Sequence, residues 1–166
     1  MLYRPYTPQD FDALYAIEER SFKPPLRFGR RYMRQLVSRA KGATWIAEED
    51  ERPIGFAIVE WSEHKDKITA YVQTIEVSPE ARGRGVGRAL LGRIEDSARL
   101  AGARVIWLHV DAENAAAIRL YEACGYRCEG RQEDYYPLGG AAFIYVKRLG
   151  PAICYPCSGA CHRRMR

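Results

Sequence analysis

Apolar positions recur along this chain with two periods, and the switches between them mark its elements. Residues 2–6 ("LYRPY") read as a short strand. "TPQD" follows with helix-start signals: Thr7 as N-cap, Pro8 at the first helical position, Asp10 in the first turn. Phe11, Leu14, Tyr15 and Ile17 then form a helical stripe reaching about Arg20. Pro24 and Pro25 lack amide donors, so "SFKPPLRFG" cannot extend that helix; a second one is expected over about 29–40. Residues 43–49, 52–63 and 67–77 read as three strands separated by turn-like "EDERP" and "EHKDK", an antiparallel meander. Val86, Leu90, Ile94 and Ala98 recur every four residues, which predicts a helix with one buried stripe ending near Gly102. "RVIWLHV" (104–110) is a further strand, and "NAAAIRLYEACGY" a short helix opened by Asn114 and closed by Gly125. Strands over about 126–133 and 141–149 complete the order β-α-α-β-β-β-α-β-α-β-β. One helix joins strands 67–77 and 105–110, so they are expected to be parallel neighbours with a right-handed crossover.

The 166 residues suffice for one domain with its own core. No signal peptide or membrane-spanning run is read from the chain, so a membrane role is not expected. The net charge is +5, of which Arg163, Arg164 and Arg166 in an acid-free tail supply +3. The rest is only mildly basic, which gives no argument for direct nucleic-acid binding. Five cysteines, three of them in the tail, do not make a disulfide framework, and a reducing cytoplasm is the expected setting. The division expected is a domain over 1–149 and an unstructured basic tail over 150–166. Cys154, Cys157, Cys161 and His162 have the residue types of a zinc site. The last two are adjacent, which strains tetrahedral geometry, so no metal is expected.

The strongest chemical signal is "VSPEARGRGVGRALL" (77–91). A strand ends, a loop with Gly83, Gly85 and Gly87 turns, and a helix begins. Glycine permits left-handed backbone and close approach to an anion, and the first helical turn offers unpaired N–H groups. Arg82, Arg84 and Arg88 add positive charge. The plain alternative is a glycine-rich turn without a ligand. A nicotinamide or flavin site is disfavoured because the loop follows a meander and not the first strand of a βαβ unit.

Arg82-x-x-Gly85-x-Gly87 resembles the pyrophosphate loop of GNAT acetyltransferases, and the element order resembles the GNAT fold over about 1–149. The fold implied is α/β, a central mixed sheet of about six to seven strands flanked by about four helices, with acetyl-CoA as cosubstrate. The resemblance implies cofactor contacts from Ile75, Glu76 and Val77, from Arg82, Gly83, Arg84, Gly85, Val86, Gly87 and Arg88, and from Asn114 and Tyr121. It also implies a bulged strand over 67–77, splayed from its parallel neighbour, whose amide near Glu76 or Val77 meets the oxyanion.

"NAAAIRLYEACGY" followed by "EDYYPLGGAAFIYVKRL" is similar to RimI-type N-terminal protein acetyltransferases. That likeness implies peptide contacts from Tyr135 and Tyr136 and from Phe22, Pro24, Pro25 and Leu26 in "SFKPPL". RimI-type enzymes usually carry glutamate where this chain has His109. A histidine there, with Tyr71 on the preceding strand, resembles the Nat E catalytic subunit, with Tyr71 also a substrate contact.

The implied reaction is direct attack by an amine within a ternary complex. At pH 7.4 roughly a fifth to a third of α-amines are neutral, against about one lysine in a thousand, so a histidine is an adequate base. His109 is the candidate base, direct or through water; Tyr71 holds that water or relays a proton; Tyr121 is the candidate acid for the thiolate. The plain alternatives are a core histidine, an ordinary sheet tyrosine and, for Asn114, a simple N-cap. The expected acceptor is a protein N-terminus, with ribosomal proteins among the candidates. A small amine (polyamine, amino acid or aminoglycoside) and a non-catalytic CoA-binding domain stay open, as does the oligomeric state.

Overall fold

A computed structural model of the chain describes residues 1–137 and 139–151. The elements are β1 (Leu2–Pro5), α1 (Phe11–Ser21), α2 (Arg30–Val37), β2 (Gly42–Glu49), β3 (Arg52–His64), β4 (Lys67–Val77), α3 (Val86–Leu100), β5 (Val105–Asp111), α4 (Ala115–Ala123), β6 (Arg127–Gln132) and β7 (Ala142–Arg148). Short 3-10 turns over Pro8–Asp10 and Pro79–Ala81 lead into α1 and toward α3. The tail cysteines Cys154, Cys157 and Cys161, with His162, lie outside the described residues.

All seven strands form one sheet in the order β1-β2-β3-β4-β5-β7-β6. Every neighbouring pair is antiparallel except β4–β5, which is parallel and joined through α3 as expected. The last strand inserts between β5 and β6. It pairs with β5 over its whole length, from Val105↔Arg148 to Asp111↔Ala142.

Strand alternation feeds two cores. On β2 and β3, Ile46, Phe56 and Ile58 face α1 and α2, where they meet Phe11, Leu14, Ile17, Met33 and Leu36. Their neighbours Ala47, Ala57 and Val59 face the other way, onto Leu90, Leu91, Ile94 and Ala98 of α3. The period-two pattern of the strands thus places a helical layer on each face. The α3 stripe Val86, Leu90, Ile94 and Ala98 is buried throughout. The second helix stops at Val37, short of the expected 40, with Ser38 as its cap. The Ser38 hydroxyl donates to the Arg34 carbonyl, one of the competing local bonds that serine offers a helix end.

Beside the first turn, Arg4 of β1 donates to both oxygens of Asp10 at 2.8 Å and to Glu48 of β2. The Arg4 guanidinium holds the Asp10 carboxyl down at about 2, below the ordinary carboxylate range. This charge cluster pins the N-terminal strand and the start of α1 to the sheet. Among the described residues, no helix is long and apolar enough to cross a membrane.

Candidate active site

The site begins with an interruption of sheet pairing. Strands β4 and β5 are in register at Thr69↔Val105, Ala70↔Ile106 and Tyr71↔Trp107, and the pairing stops there. On the other edge of β4, Ile58 pairs with Thr74 and Val59 with Val72, so Gln73 is an extra residue, a β-bulge. A bulge bends its strand, and here β4 leaves β5 immediately beside it. The resulting cavity is about 740 Å³. Gln73, Thr74 and Ile75 line one wall, and His109, Val110 and Asp111 the other.

His109 alternates with buried Leu108 and Val110 on β5, so its ring leaves the sheet on the opposite face. Its Nδ1 lies 3.1 Å from the Tyr71 hydroxyl. Tyr135 stacks on the imidazole with ring centroids 4.2 Å apart and planes 16° from parallel, and Tyr136 sits edge-on to Tyr135 at 4.9 Å. Trp107 packs against Tyr71 at 4.6 Å. Burial holds the His109 imidazole below its ordinary value, and a hydrogen bond with Gln132 of β6 opposes that shift. Burial first, then the neighbouring Tyr135 hydroxyl, pushes the Tyr71 phenol well above its ordinary value. At neutral pH the pair is therefore a neutral imidazole facing an intact phenol.

Tyr121 of α4 reaches the same cavity from the other side, and burial raises its hydroxyl likewise. Asn114 lines the cavity and also caps α4, its Oδ1 accepting from the Ala117 amide at 3.1 Å; the cap and a ligand-facing position coexist. Of the loop between α1 and α2, Phe22, Pro25 and Leu26 line the cavity and Pro24 does not. Phe22 and Leu26 are 37% and 39% exposed, an apolar rim facing solvent.

The glycine loop lies beyond the cavity wall. Gly83 and Gly85 have φ of 72° and 81°, the left-handed conformation that favours glycine. The first amide of α3 to bond back is Ala89, onto the Gly85 carbonyl, so the amides of Val86, Gly87 and Arg88 have no helical acceptor. Gly87 serves packing as well: an added Cβ would stand 3.4 Å from Leu120 of α4. The three arginines are engaged within the protein. Arg82 donates to the Val77 carbonyl, Arg84 pairs with Glu49 of β2, and Arg88 donates to the Ala123 carbonyl. Glu76 and Val77 continue the β3–β4 ladder opposite Phe56 and Gly55. Only Ile75 of the three strand positions expected to meet the cofactor lines the cavity.

Sequence reasoning missed Glu18, Trp107, Asp111 and Gln132. Glu18 stands four residues after Leu14, in the helical stripe, and an acid at a core position is the signal that would have found it. Gln132 neighbours His109 only across β7, which lies between β5 and β6, and no local pattern reports that.

A splayed parallel pair, an amide-rich helix start and an imidazole–phenol pair between them define a group-transfer site fed from two sides. The acetyltransferase (GNAT) family model matches residues 11–126, and the chain belongs to that family. It is 29% identical over 164 residues to an uncharacterized N-acetyltransferase of Methanocaldococcus jannaschii, covering 92% of this chain and 97% of that one. It is 39% identical over 88 residues to the [ribosomal protein bS18]-alanine N-acetyltransferase of Salmonella typhimurium, covering 53% and 57%. It spans about a quarter of one curated relative, an uncharacterized Mycobacterium leprae protein 39% identical over 95 residues, 57% of this chain and 26% of that one. Among solved structures, the ribosomal-protein-S18-alanine N-acetyltransferase of Escherichia coli superposes with a TM-score of 0.78 at 27% identity, covering 91% and 95%. Arabidopsis thaliana NAA60 in complex with acetyl-CoA gives 0.78 at 25%, covering 89% and 98%.

Proposed function

We propose that the chain transfers the acetyl group of acetyl-CoA to the N-terminal α-amine of a protein, by direct attack in a ternary complex. The observation that carries this reading is the Tyr71–His109 pair at the foot of the β4–β5 splay, roofed by Tyr135 and rimmed by Phe22 and Leu26. The named relatives acting on ribosomal protein bS18 support a protein acceptor.

The orphan amides of 86–88 and the left-handed glycines fit a pyrophosphate, and the gap between β4 and β5 suits the pantetheine arm. Acetyl-CoA supplies a thioester carbonyl there; the N–C bond forms as the C–S bond breaks. The acceptor's α-amine, with a reference pKa near 8, needs only a modest base. Tyr71 is too poor an acid to ionise, so it acts as a relay. Its oxygen takes the amine proton while its own proton passes to Nδ1 of His109. The Gln132 side-chain oxygen accepts from the other imidazole nitrogen, and this keeps Nδ1 free to accept. Tyr121, protonated at neutral pH, donates toward the leaving thiolate.

Incubation with acetyl-CoA and a panel of peptides with free or blocked N-termini, lysine-only peptides and polyamines tests this. CoA release only with free N-termini is the expected result. Turnover confined to polyamines overturns the acceptor class. CoA binding without turnover on any acceptor overturns the transferase reading.

A further inference from the structure

Beneath the acceptor loop lies a polar cluster that the proposed chemistry does not use. Glu18 of α1 and Glu76 of β4 are 1% and 3% exposed, among the most buried charged-type residues of the chain. Glu18 Oε1 accepts the Phe28 amide at 2.7 Å, and the Tyr15 hydroxyl donates to the Phe28 carbonyl at 3.2 Å. The end of the 22–29 loop is thus held at both faces of one peptide residue. Glu76 Oε1 accepts from Thr74 Oγ1 at 3.0 Å, and Thr74 itself lines the cavity. The remaining oxygens, Oε2 of Glu18 and Oε2 of Glu76, are buried without a hydrogen-bond partner, as is the Ser21 hydroxyl beside Glu76.

Two neighbouring buried carboxylates repel, and burial disfavours either charge. One proton held between them satisfies both orphan oxygens. Burial, then the hydrogen bond with Glu18, drives the Glu76 carboxyl far above the ordinary carboxylate range. Glu76 is therefore the protonated member, and it donates to Glu18. That donation turns the other Glu18 oxygen toward Phe28.

We propose that Glu18 and Glu76 form a carboxyl clamp that fixes the acceptor loop 22–29 to the bulged strand beside the reacting carbonyl. Both side chains are positioning groups: neither carboxyl touches the reacting atoms, and both act through the Phe28 amide. The bond from Glu18 sets the height of Phe22, Pro25 and Leu26 over the cavity. The consequence for acceptor binding rests on the function proposed above; the hold on the loop does not.

Two readouts keep these apart. Hydrogen–deuterium exchange of segment 22–29 in the full chain tests the clamp without any acceptor. Glu18→Ala and Glu76→Ala are expected to lose protection there, while Glu76→Gln, which still donates to Glu18, recovers it. Steady-state kinetics with an N-terminal peptide test the consequence: Glu18→Ala raises acceptor KM about tenfold, the loss of one bond to a charged group, and changes acetyl-CoA affinity less than about twofold. Unchanged exchange in Glu18→Ala, or Glu76→Gln as unprotected as Glu76→Ala, overturns the clamp. Acceptor KM and acetyl-CoA affinity weakening together in Glu18→Ala also overturns it, since that reports general damage. Loop protection following the expected pattern in a protein that acetylates no peptide leaves the clamp standing and removes the proposed function.

Discussion

The two ends of the β4–β5 pair are made from the same strands and do opposite things. At the closed end, Ala70 and Ile106 sit in register, fully buried against the α3 layer. At the open end, a bulge at Gln73 ends the pairing, and the strand faces turn toward a cavity. Yet β5 itself does not loosen there. Leu108 and Val110, either side of His109, remain 1% and 5% exposed. The site is produced by removing a neighbour from one strand edge while the opposite face stays packed. Rigidity under the imidazole and access above it are thereby obtained from one strand.

If that division holds, damage at each end should appear in a different measurement. The largest effect is expected at the open end. His109→Ala should lower kcat by about 10²–10⁴, the usual contribution of a positioned base, with acetyl-CoA affinity and the midpoint of thermal unfolding nearly unchanged. Titration calorimetry and a melt beside the kinetics check it; an equal loss of stability would mean that the histidine belongs to the core.

The converse belongs to the closed end. Ile106→Ala should cost about 2–5 kcal/mol of unfolding free energy, because a fully buried aliphatic leaves a cavity. Urea unfolding measures this. The kcat per folded molecule should stay close to wild type, and a fall of the size expected for His109→Ala would show that the two ends are not separable.

Tyr71 stands at the junction, the last residue of β4 paired with β5 and the partner of His109. Tyr71→Phe keeps the ring against Trp107 and removes the hydroxyl. It should lower kcat by about as much as His109→Ala does, and the double variant should fall no further than either single one, because the two act as one unit. Additive losses would separate the tyrosine from the histidine's proton path.

What the sequence made legible follows the range of the interactions. Local periodicity exposed the Val86–Leu90–Ile94–Ala98 stripe, and glycine placement exposed the turn into α3, because each depends on residues within a few positions. The likeness in "YVQTIEV" and "VIWLHV" named Tyr71 and His109, which the structure brings within 3.1 Å. The bulge carried no local mark: Gln73 is an ordinary strand residue, and only the β3 register shows it to be extra. The Glu18–Glu76 contact joins a helix to a distant strand across the sheet face. Gln132 meets His109 through an insertion of β7 that follows from the global strand order. Such contacts are tertiary, and no window of sequence contains both partners.

The smallest expected effect is a shift along the pH axis, and it tests the physical cause of the site's basicity. Burial disfavours the imidazolium, so the His109 pKa lies below the ordinary 6.5. The base form is the neutral one. Activity should therefore rise with pH, with its acid-side inflection below 6.5, and be level through neutrality as far as this group is concerned. The acceptor amine titrates near 8 in free solution and enters kcat/KM, so the inflection is to be read on kcat, which reports the assembled complex. Gln132→Ala removes the bond that opposes the burial shift and should move the inflection further down, with a smaller change in kcat on the plateau than Tyr71→Phe causes. An inflection above 6.5, or one that persists in His109→Ala, would mean that the titrating group is not the imidazole at the open end of the strand.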